Sequence, residues 1–526
     1  MTPSETDLKQ PAGESARRES PNAVHYITLL LLIGAAIAAR LWCLAAKPFW
    51  FDECFSVEIA RIDWRSFLHL IWWREANMSL YYLLLRAWLR FGSSPFFIRS
   101  LSALISAATL PAIYWVARML YDRRVALIAT ALLAFNAYSV RYAQEARSYA
   151  LFVLLATLSS GALISFLQQP SERTRSVYIV FSVLAVYAHF YALLLIAAHW
   201  LGLSLLSRSV DSPEQSYETE WRMRARQLRS SWKVIGIAVL PLLAFVAKTG
   251  AGPIRWIHRP GLHDLAEFFK NLASGDGWSL AAIVALAVVA AVAPLGKALC
   301  SKNPTWEVWR CQFLLIWFLF PILLTVLLSF ARSVFLARYM IFCLPALLIL
   351  AAAGLARLNR WALPPALAVT LLLGLQGVTF VYGHDFDDER DASGAATKFI
   401  LSQTQPGDGI LFHIAGTRIP YEFFRSLQAG TNTASPDFTR PLGPEILFPR
   451  HGARLGYLDF TGKPTEEFVR TAARNHSRIW IVLMNNGPAE NPDPTTQMLT
   501  RVLPESHPSV ERWQYSRVEV RLYRKQ

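Results

Sequence analysis

The sequence predicts a polytopic α-helical membrane protein with an α/β domain at its C-terminal end. The 526-residue chain is 54% hydrophobic and 17% charged, with a mean hydropathy of +0.30, whereas soluble domains are about 25% charged. Many apolar runs are long enough to cross about 30 Å of hydrocarbon. Residues 384–526, in contrast, have the polarity of a soluble domain.

About eleven apolar segments are candidate membrane spans. They are 24–46, 98–120, 124–140, 145–168, 175–190, 191–207, 232–249, 278–298, 310–330, 335–355 and 361–383. The first has no small-residue cleavage pattern after it, so we expect a permanent anchor rather than a signal peptide. The short connections imply antiparallel neighbours in a helix bundle.

Three regions are expected along the chain. Residues 1–22 are polar, as in a disordered tail. Residues 23–383 form the transmembrane domain, with a first outer loop at 47–97, and residues 384–526 form the α/β domain. Strands are expected at 409–413, 478–484 and 518–524, and helices at 421–427 and 465–474.

Lysine and arginine in the loops predict the orientation. If eleven spans hold, one side carries Arg123, Arg124, the arginines of 208–233 and Arg357, and should be the cytoplasm. The N-terminus is then cytoplasmic and 384–526 extracytoplasmic, in a multi-pass protein of the cytoplasmic (inner) membrane. Topology and anionic lipid explain the net charge of +15, so no nucleic-acid partner is expected.

Residues 55–92 interleave aromatic residues with arginines, and their apolar residues recur near helical spacing. This pattern predicts helices that lie in the headgroup layer. The alternative, in which Leu80–Phe91 belongs to a span, has too few apolar residues. An extra crossing would also invert the later loops against the charge rule.

Two adjacent carboxylates, Asp52 and Glu53, directly follow the first span. Carboxylates at a membrane surface are costly to desolvate unless they have a function. The same side of the membrane is predicted to hold the turn 141–147, His189 and Arg338. We interpret this side as a catalytic face.

Several segments resemble the membrane glycosyltransferases of the GT-C fold, in particular the group that holds protein O-mannosyltransferases and lipid A aminoarabinose transferases. They are Phe51-Asp-Glu-Cys-Phe-Ser56, Leu80-Tyr-Tyr-Leu-Leu-Leu-Arg-Ala-Trp88, Ile98-Arg-Ser-Leu-Ser102, Arg141-Tyr-Ala-Gln-Glu-Ala-Arg-Ser-Tyr-Ala150 and Tyr187-Ala-His-Phe-Tyr191. The resemblance is dense over 26–200 and thin beyond, apart from Arg338-Tyr339. Members often have a His-Pro-Pro type sequence before Leu-Tyr-Tyr. This chain has Asn77-Met78-Ser79 there, so no role of that histidine carries over.

The resemblance implies an enzyme that moves a sugar from a polyprenyl-phosphate donor to an extracytoplasmic glycolipid, polysaccharide or protein, usually with inversion. A lipid phosphate leaves without a proton, so the reaction needs one general base and positive charge for the phosphate. Glycosidases differ, because they use two carboxyl groups. Asp52 is the candidate base. Glu53 and Glu145 are candidates to position the acceptor, the base or a divalent Mg or Mn ion.

Arginine forks suit phosphate, and the sequence offers several on the predicted catalytic face. Candidates for the donor phosphate are Arg147, Arg338, Arg255 and Arg259, and candidate donor or acceptor contacts are Tyr82, Gln144, His189 and Tyr191. Each has a structural alternative. Asp52 could cap a helix, Glu145 could pair with Arg147, and Arg338 could snorkel. Arg255 and Arg259 could touch lipid headgroups, His189 could be a satisfied interfacial histidine, and Arg40 could simply pack.

Two other function classes stay open. A secondary transporter should show paired broken helices and internal symmetry, and neither is evident in the sequence. A non-catalytic carbohydrate-binding membrane protein would use the outer domain, but it would gain nothing from the Asp52-Glu53 pair.

Overall fold

The computed structural model describes residues 23–207, 216–250, 257–274, 277–299, 305–383, 392–428, 443–449, 462–484 and 492–526. The predicted tail, 1–22, lies outside the described residues, and so does Arg255. The predicted domain boundary at 383/384 also falls at the edge of a segment that is not described, so it stays a prediction.

The part of the chain before residue 384 is helical wherever it forms regular structure. Its helices are α1 Ala23–Leu41, α2 Phe51–Arg61, α3 Trp64–Trp73, α4 Ser79–Trp88, α5 Pro95–Leu120, α6 Arg123–Ala134, α7 Ala137–Ala143, α8 Tyr149–Gln168, α9 Glu172–Ala188, α10 Ala192–Ser207, α11 Ser216–Thr249, α12 Leu262–Ser274, α13 Trp278–Val292, α14 Gly296–Leu299, α15 Trp306–Ala331, α16 Leu344–Leu355 and α17 Leu363–Gly383. A 3₁₀ segment, Ala337–Cys343, leads into α16.

A polytopic membrane fold is confirmed, with fewer spans than predicted. Within the described ranges, eight helices are long and apolar enough to cross a membrane, or nine if α6 and α7, bent by 57°, count as one. The count is lower than eleven because α9 and α10, with 17 and 16 residues, are shorter than the helices that are counted. The bend between α6 and α7 lies at Asn136, whose side chain caps α7 by accepting from the Ser139 N–H at 2.8 Å.

Helices α2, α3 and α4 occupy the predicted first outer loop. They have 11, 10 and 10 residues, which is too short to cross about 30 Å of hydrocarbon. The prediction that Leu80–Phe91 does not belong to a span is therefore confirmed. The three helices pack into the same buried core as the spans, through residues such as Val57, Phe67 and Leu85.

Arg40 joins the end of α1 to three other helices. Its fully buried guanidinium donates to Ser106 Oγ at 2.8 Å, to the Ala134 carbonyl at 3.1 Å and to Ser139 Oγ at 3.1 Å. A buried charge is tolerated when its donors are satisfied in this way. Arg40 is thus a packing residue, as one of the sequence interpretations had it.

Close packing of α13 against α16 depends on Gly354. A Cβ at this position would lie 1.7 Å from the Ala287 carbonyl oxygen, and a backbone atom cannot rotate away. We expect Gly354→Ala to lower the free energy of unfolding by about 1–3 kcal/mol, measured as a lower Tm in detergent.

Gly236→Ala in α11 is the matched control, because no atom lies within 4 Å of its added Cβ. Its Tm should stay the same or rise, since alanine has the higher helix propensity. A Gly354→Ala protein with the wild-type Tm would contradict the contact between α13 and α16.

The C-terminal region is an α/β domain, as predicted. Its elements are α18 Ser393–Gln403, β1 Gly409–Phe412, α19 Arg418–Gln428, β2 Glu445–Phe448, α20 Glu466–Arg474, β3 Arg478–Met484, α21 Pro494–Val502, β4 Ser509–Tyr515 and β5 Val518–Arg524. The sheet order is β2-β1-β3-β5-β4. Strand β1 pairs in parallel with β2 and β3, whereas β5 is antiparallel to both β3 and β4.

Strand β3 is at the centre of the sheet and is apolar on both faces. Trp480 and Val482 belong to one buried cluster, and Ile479 and Ile481 belong to the other. Successive side chains of a strand point to opposite faces, so a continuous apolar run fits a strand covered on both sides. This is why the sequence predicts β3 well.

The C-terminal domain packs against α2. Helix α19 packs against it, with the Phe423 ring stacked on Phe49 at a centroid distance of 4.9 Å. Arg61 lies over the same Phe423 ring at 5.8 Å. Phe51 packs against the buried cluster on one face of the sheet. The C-terminal domain thus contacts the residue next to Asp52.

Candidate active site

Asp52 and Glu53 lie in the first turn of α2. The N-cap residue is Trp50, whose carbonyl accepts from the Glu53 and Cys54 N–H groups at 3.0 and 3.1 Å. Asp52 is therefore inside the helix, and the interpretation that it caps α2 is excluded.

Glu53 is committed to a buried ion pair. Arg99 Nε donates to Oε1 at 2.8 Å and Arg99 Nη2 donates to Oε2 at 2.6 Å, and neither residue is more than 1% exposed. Such bidentate pairs have a fixed geometry. Arg99 also donates to the carbonyls of Leu44, Lys47 and Pro48. This geometry suits a positioning role for Glu53, which is the kind of role that the sequence suggested.

Glu53 also fixes the turn 144–147. Its Oε1 accepts from the Ala146 N–H at 2.9 Å. Gln144 donates to the carbonyls of Arg40 and Trp42 at 3.2 and 2.8 Å, so its amide ties this turn to the end of α1. Glu145 is 3% exposed and lies in the same turn.

Arg147 links this turn to Asp52. Its Nη2 lies 3.6 Å from Asp52 Oδ2, and its Nη1 donates to Ser56 Oγ at 3.2 Å. A side-chain hydrogen bond also joins Arg147 to Tyr82. Two predicted site residues thus lie at the Asp52 carboxylate. Arg147 forms an ion pair with it, and the Tyr82 hydroxyl lies beside Arg147.

Arg338 belongs to the 3₁₀ segment before α16. Its guanidinium is 5.8 Å from the Trp50 ring and 5.9 Å from the Tyr339 ring. It interacts electrostatically with Asp52 and Tyr149. Arginines from two distant parts of the chain therefore interact with Asp52, one as an ion pair and one electrostatically.

His189 is buried in an aromatic cluster. Its ring stacks on Phe152 at 5.0 Å and meets the edge of Tyr339 at 4.6 Å. Its Nδ1 accepts from the Tyr191 N–H at 3.2 Å, which assigns the proton of the neutral ring to Nε2. His189 also interacts electrostatically with Arg147 and Arg338.

The pocket is rich in buried donors. Among the described residues, several N–H or O–H groups here are buried without a hydrogen-bond partner, including Trp50 Nε1, Arg147 Nε, Tyr149 Oη and His189 Nε2. Buried polar groups are nearly always paired, so a group of unpaired ones needs an explanation. Donors beside two arginines are suited to a ligand with anionic oxygens and hydroxyls.

Two other predicted site residues, Arg259 and Tyr191, do not have the side-chain contacts that their predicted roles require. Arg259 is exposed, and it makes no ion pair with any described residue. Tyr191 uses its hydroxyl to donate to the Val334 carbonyl, although its ring lies 5.1 Å from Tyr339. Tyr191 is thus part of the wall around His189.

Sequence reasoning missed Glu75, Tyr149 and Tyr339 as site residues. Glu75 lies between α3 and α4, in a stretch tied to the His189 region because Asn77 Oδ1 accepts from the Phe190 N–H at 3.0 Å. It interacts electrostatically with Arg147 and Asp52. Tyr149 and Tyr339 were inside the motifs that carried the resemblance, which was the available signal.

Glu75 is expected to make the stability of the protein depend on pH. Burial raises the pKa of Glu75 from 4.5 to about 7, Arg147 opposes the rise and Asp52 adds to it. The folded protein therefore holds this proton more tightly than the unfolded chain, and stability falls as the pH rises between these two values. We expect Glu75→Gln to flatten the dependence of Tm on pH in this window. Glu172→Gln, at an exposed glutamate, is the control, and an unchanged slope in Glu75→Gln would contradict the assignment.

A divalent ion held jointly by Asp52, Glu53 and Glu145, which the sequence left as a possibility, does not fit the residues present. Glu53 uses both carboxylate oxygens on Arg99, so it cannot join Asp52 and Glu145 as a ligand without losing that pair. Across the described residues, no group of three or more His, Cys, Asp or Glu side chains is arranged to hold a metal. No step below depends on a metal.

No family model and no curated protein matches the sequence, but solved structures do. The apo structure of ArnT from Cupriavidus metallidurans has a TM-score of 0.62 at 12% identity, covering 95% of this chain and 98% of that chain. The structure of the same protein bound to undecaprenyl phosphate has a TM-score of 0.59 at 14% identity, with the same coverage. The apo oligosaccharyltransferase of Archaeoglobus fulgidus has a TM-score of 0.47 at 10% identity, over 88% of this chain and 69% of that chain. The likeness to ArnT over almost the full length of both chains shows that this chain has the GT-C fold.

Proposed function

We propose that the protein is a membrane glycosyltransferase that moves a sugar from a polyprenyl-phosphate donor to a hydroxyl of an extracytoplasmic acceptor. One observation carries this proposal. The Asp52 carboxylate pairs with Arg147 and interacts electrostatically with Arg338, and several buried donors beside it have no hydrogen-bond partner among the described residues. Sugar transfer from a lipid phosphate needs a carboxylate base, positive charge for the phosphate and hydrogen-bond donors for the sugar.

The two arginines would bind the donor phosphate. Guanidinium groups bind phosphate oxygens in a bidentate geometry, and Arg147 Nε is one of the unpaired donors. ArnT, which has the same fold, has been solved with undecaprenyl phosphate. Tyr149 Oη and His189 Nε2 would donate to oxygens of the sugar or the phosphate.

Asp52 would act as the general base. Its carboxylate accepts the proton of the acceptor hydroxyl while that oxygen bonds to the anomeric carbon. The bond from that carbon to the phosphate oxygen breaks, and its electron pair leaves with the lipid phosphate. The two arginines stabilise the charge that develops there. A single displacement of this kind inverts the anomeric carbon.

Placement in the cytoplasmic membrane, with the N-terminus inside and the C-terminal domain outside, is part of the proposal. The arginine distribution in the loops supports it. Contact between α19 and α2 puts the C-terminal domain beside the site, where an acceptor would enter. Glycolipid, polysaccharide and protein acceptors are all compatible with this arrangement.

The test uses purified protein in nanodiscs with a panel of radiolabelled polyprenyl-phosphate sugars. We expect at least one donor to lose its label to an acceptor or to water, and this loss to require Asp52. If a folded protein consumes no donor from a panel of hexosyl and pentosyl phosphates, the proposal fails and a binding or transport function takes its place.

Arg338→Ala should weaken use of the donor. One charge-assisted hydrogen bond to phosphate contributes about 1.5–3 kcal/mol, so we expect the apparent KM for the donor to rise about 10- to 100-fold. The KM for the acceptor should change little. Arg332→Ala, at an exposed arginine of the preceding turn, is the control. An unchanged donor KM in Arg338→Ala would make Arg338 a structural residue.

A further inference from the structure

A second cavity lies at the opposite end of the helix bundle from Asp52. It has a volume of about 770 Å³ and is formed by α1, α6 and α17. Helix α5 shows the separation, because Arg99 near its start contacts Glu53, whereas Tyr114 near its end contacts His25 of this cavity. Arg99 and Tyr114 are 15 positions apart in α5, which corresponds to about 22 Å at 1.5 Å per residue.

Each of the three helices contributes one stripe to the cavity. Residues 25, 28 and 32 come from α1, residues 363, 367 and 371 come from α17, and α6 provides 123, 124, 127, 128 and 131. These spacings of three and four place each set on a single helix face. The stripes of α6 and α17 each extend over nine residues, so their ends are about 12 Å apart along the helix.

The two ends of the cavity differ in chemistry. One end holds His25, Arg123 and Arg124, and the other end is lined by leucines, including Leu32 and Leu371. Arg118 and Arg123 both interact electrostatically with His25. Among the described lining residues there is no aspartate or glutamate. The cavity is therefore basic at the mouth and apolar along its length.

We propose that this cavity binds an anionic glycerophospholipid, with the phosphate at Arg123 and Arg124 and an acyl chain along the leucines. Basic pockets between transmembrane helices bind anionic headgroups, and the two arginines at the mouth favour an anionic lipid over a neutral one. The end of the bundle to which it belongs is the one predicted to be cytoplasmic. The site is separate from the proposed donor site and does not depend on the proposed function.

The bonds already present at the mouth fit a preformed site. His25 Nε2 and Tyr114 Oη are hydrogen bonded at 2.6 Å, which holds the imidazole in place. Arg124 Nη2 donates to the Leu358 carbonyl at 3.1 Å, from the turn before α17. The basic groups are thus oriented by neighbouring helices.

The test is equilibrium binding of radiolabelled phosphatidylglycerol to the full-length, delipidated protein in neutral detergent. Phosphatidylcholine and undecaprenyl phosphate serve as competitors. We expect phosphatidylglycerol to bind in preference to phosphatidylcholine, and the double variant Arg123→Gln/Arg124→Gln to bind it about 10- to 30-fold more weakly. Arg173→Gln, at an exposed arginine of α9, should bind as the wild type does.

Leu367→Trp keeps both arginines and fills the apolar part of the cavity. It should also weaken binding, and its Tm without lipid shows whether it is folded. Equal binding of the two phospholipids, or full binding by both folded variants, would overturn the proposal. Stronger competition by undecaprenyl phosphate than by unlabelled phosphatidylglycerol would assign the cavity to a polyprenyl lipid and overturn it as well.

Discussion

Asp52→Asn is expected to leave the protein folded and to lower kcat for sugar transfer by about 10²- to 10⁴-fold, the usual contribution of a general base. The amide has the size of the carboxylate but cannot take the proton of the acceptor. Asp52 is 23% exposed and its contact with Arg147 is long, at 3.6 Å. The fold therefore depends little on its charge.

The measurement is turnover of the lipid-linked donor, together with the donor KM and the Tm. Asp63→Asn is the matched control. Asp63 caps α3 by accepting from the Ser66 N–H at 3.0 Å, and asparagine caps as well as aspartate does. Normal turnover by a folded Asp52→Asn protein would refute the assignment of the base.

Glu53→Gln should have the opposite profile, with a large loss of stability. The substitution leaves the Arg99 guanidinium buried without its counter-ion, because Glu53 is 0% and Arg99 is 1% exposed. Removing one partner of a buried ion pair typically costs about 3–5 kcal/mol. The Ala146 N–H would also lose a charged acceptor. The same chemical change at two adjacent positions thus separates catalysis from folding.

Thermal unfolding in detergent measures this effect, with the yield of folded protein as a second readout. The control is Glu172→Gln. Glu172 is paired with Arg175 at the surface and is 84% exposed, so its loss should cost at most about 1 kcal/mol. If Glu53→Gln unfolds at the wild-type temperature but is inactive, Glu53 acts on the substrate.

The sequence predicts the candidate site because the most unusual residues of that site are close together in the chain. The pair Asp52-Glu53 is visible in any reading of the chain, and the motif around Arg147 marks the same face. The roles within the pair were not predictable, because they depend on Arg99, which is 46 residues from Glu53. Only the folded structure shows which of two neighbouring carboxylates faces an arginine in the core.

The secondary structure also contains elements that the sequence predicts and elements that it does not. Strand β3 was predicted over its exact length because an apolar run covered on two faces is a strong signal. Strands β2 and β4 were missed. They are at the two edges of the sheet and have exposed, polar positions. Likewise, Glu75 is a single carboxylate among arginines and aromatic residues, and only tertiary packing places it beside Asp52.

The Glu53–Arg99 pair also bears on how the protein is made. Arg99 lies near the start of α5. An arginine without a counter-ion is costly to insert into the bilayer, by about 2.5–3.5 kcal/mol at mid-membrane on insertion scales. Its carboxylate partner precedes it by 46 residues, so at 5–20 residues per second the ribosome delivers it about 2–9 s earlier. The counter-ion is therefore already synthesised when α5 enters the translocon. The Glu53–Arg99 pair can therefore form as soon as α5 is inserted, and this pair joins α5 to α2.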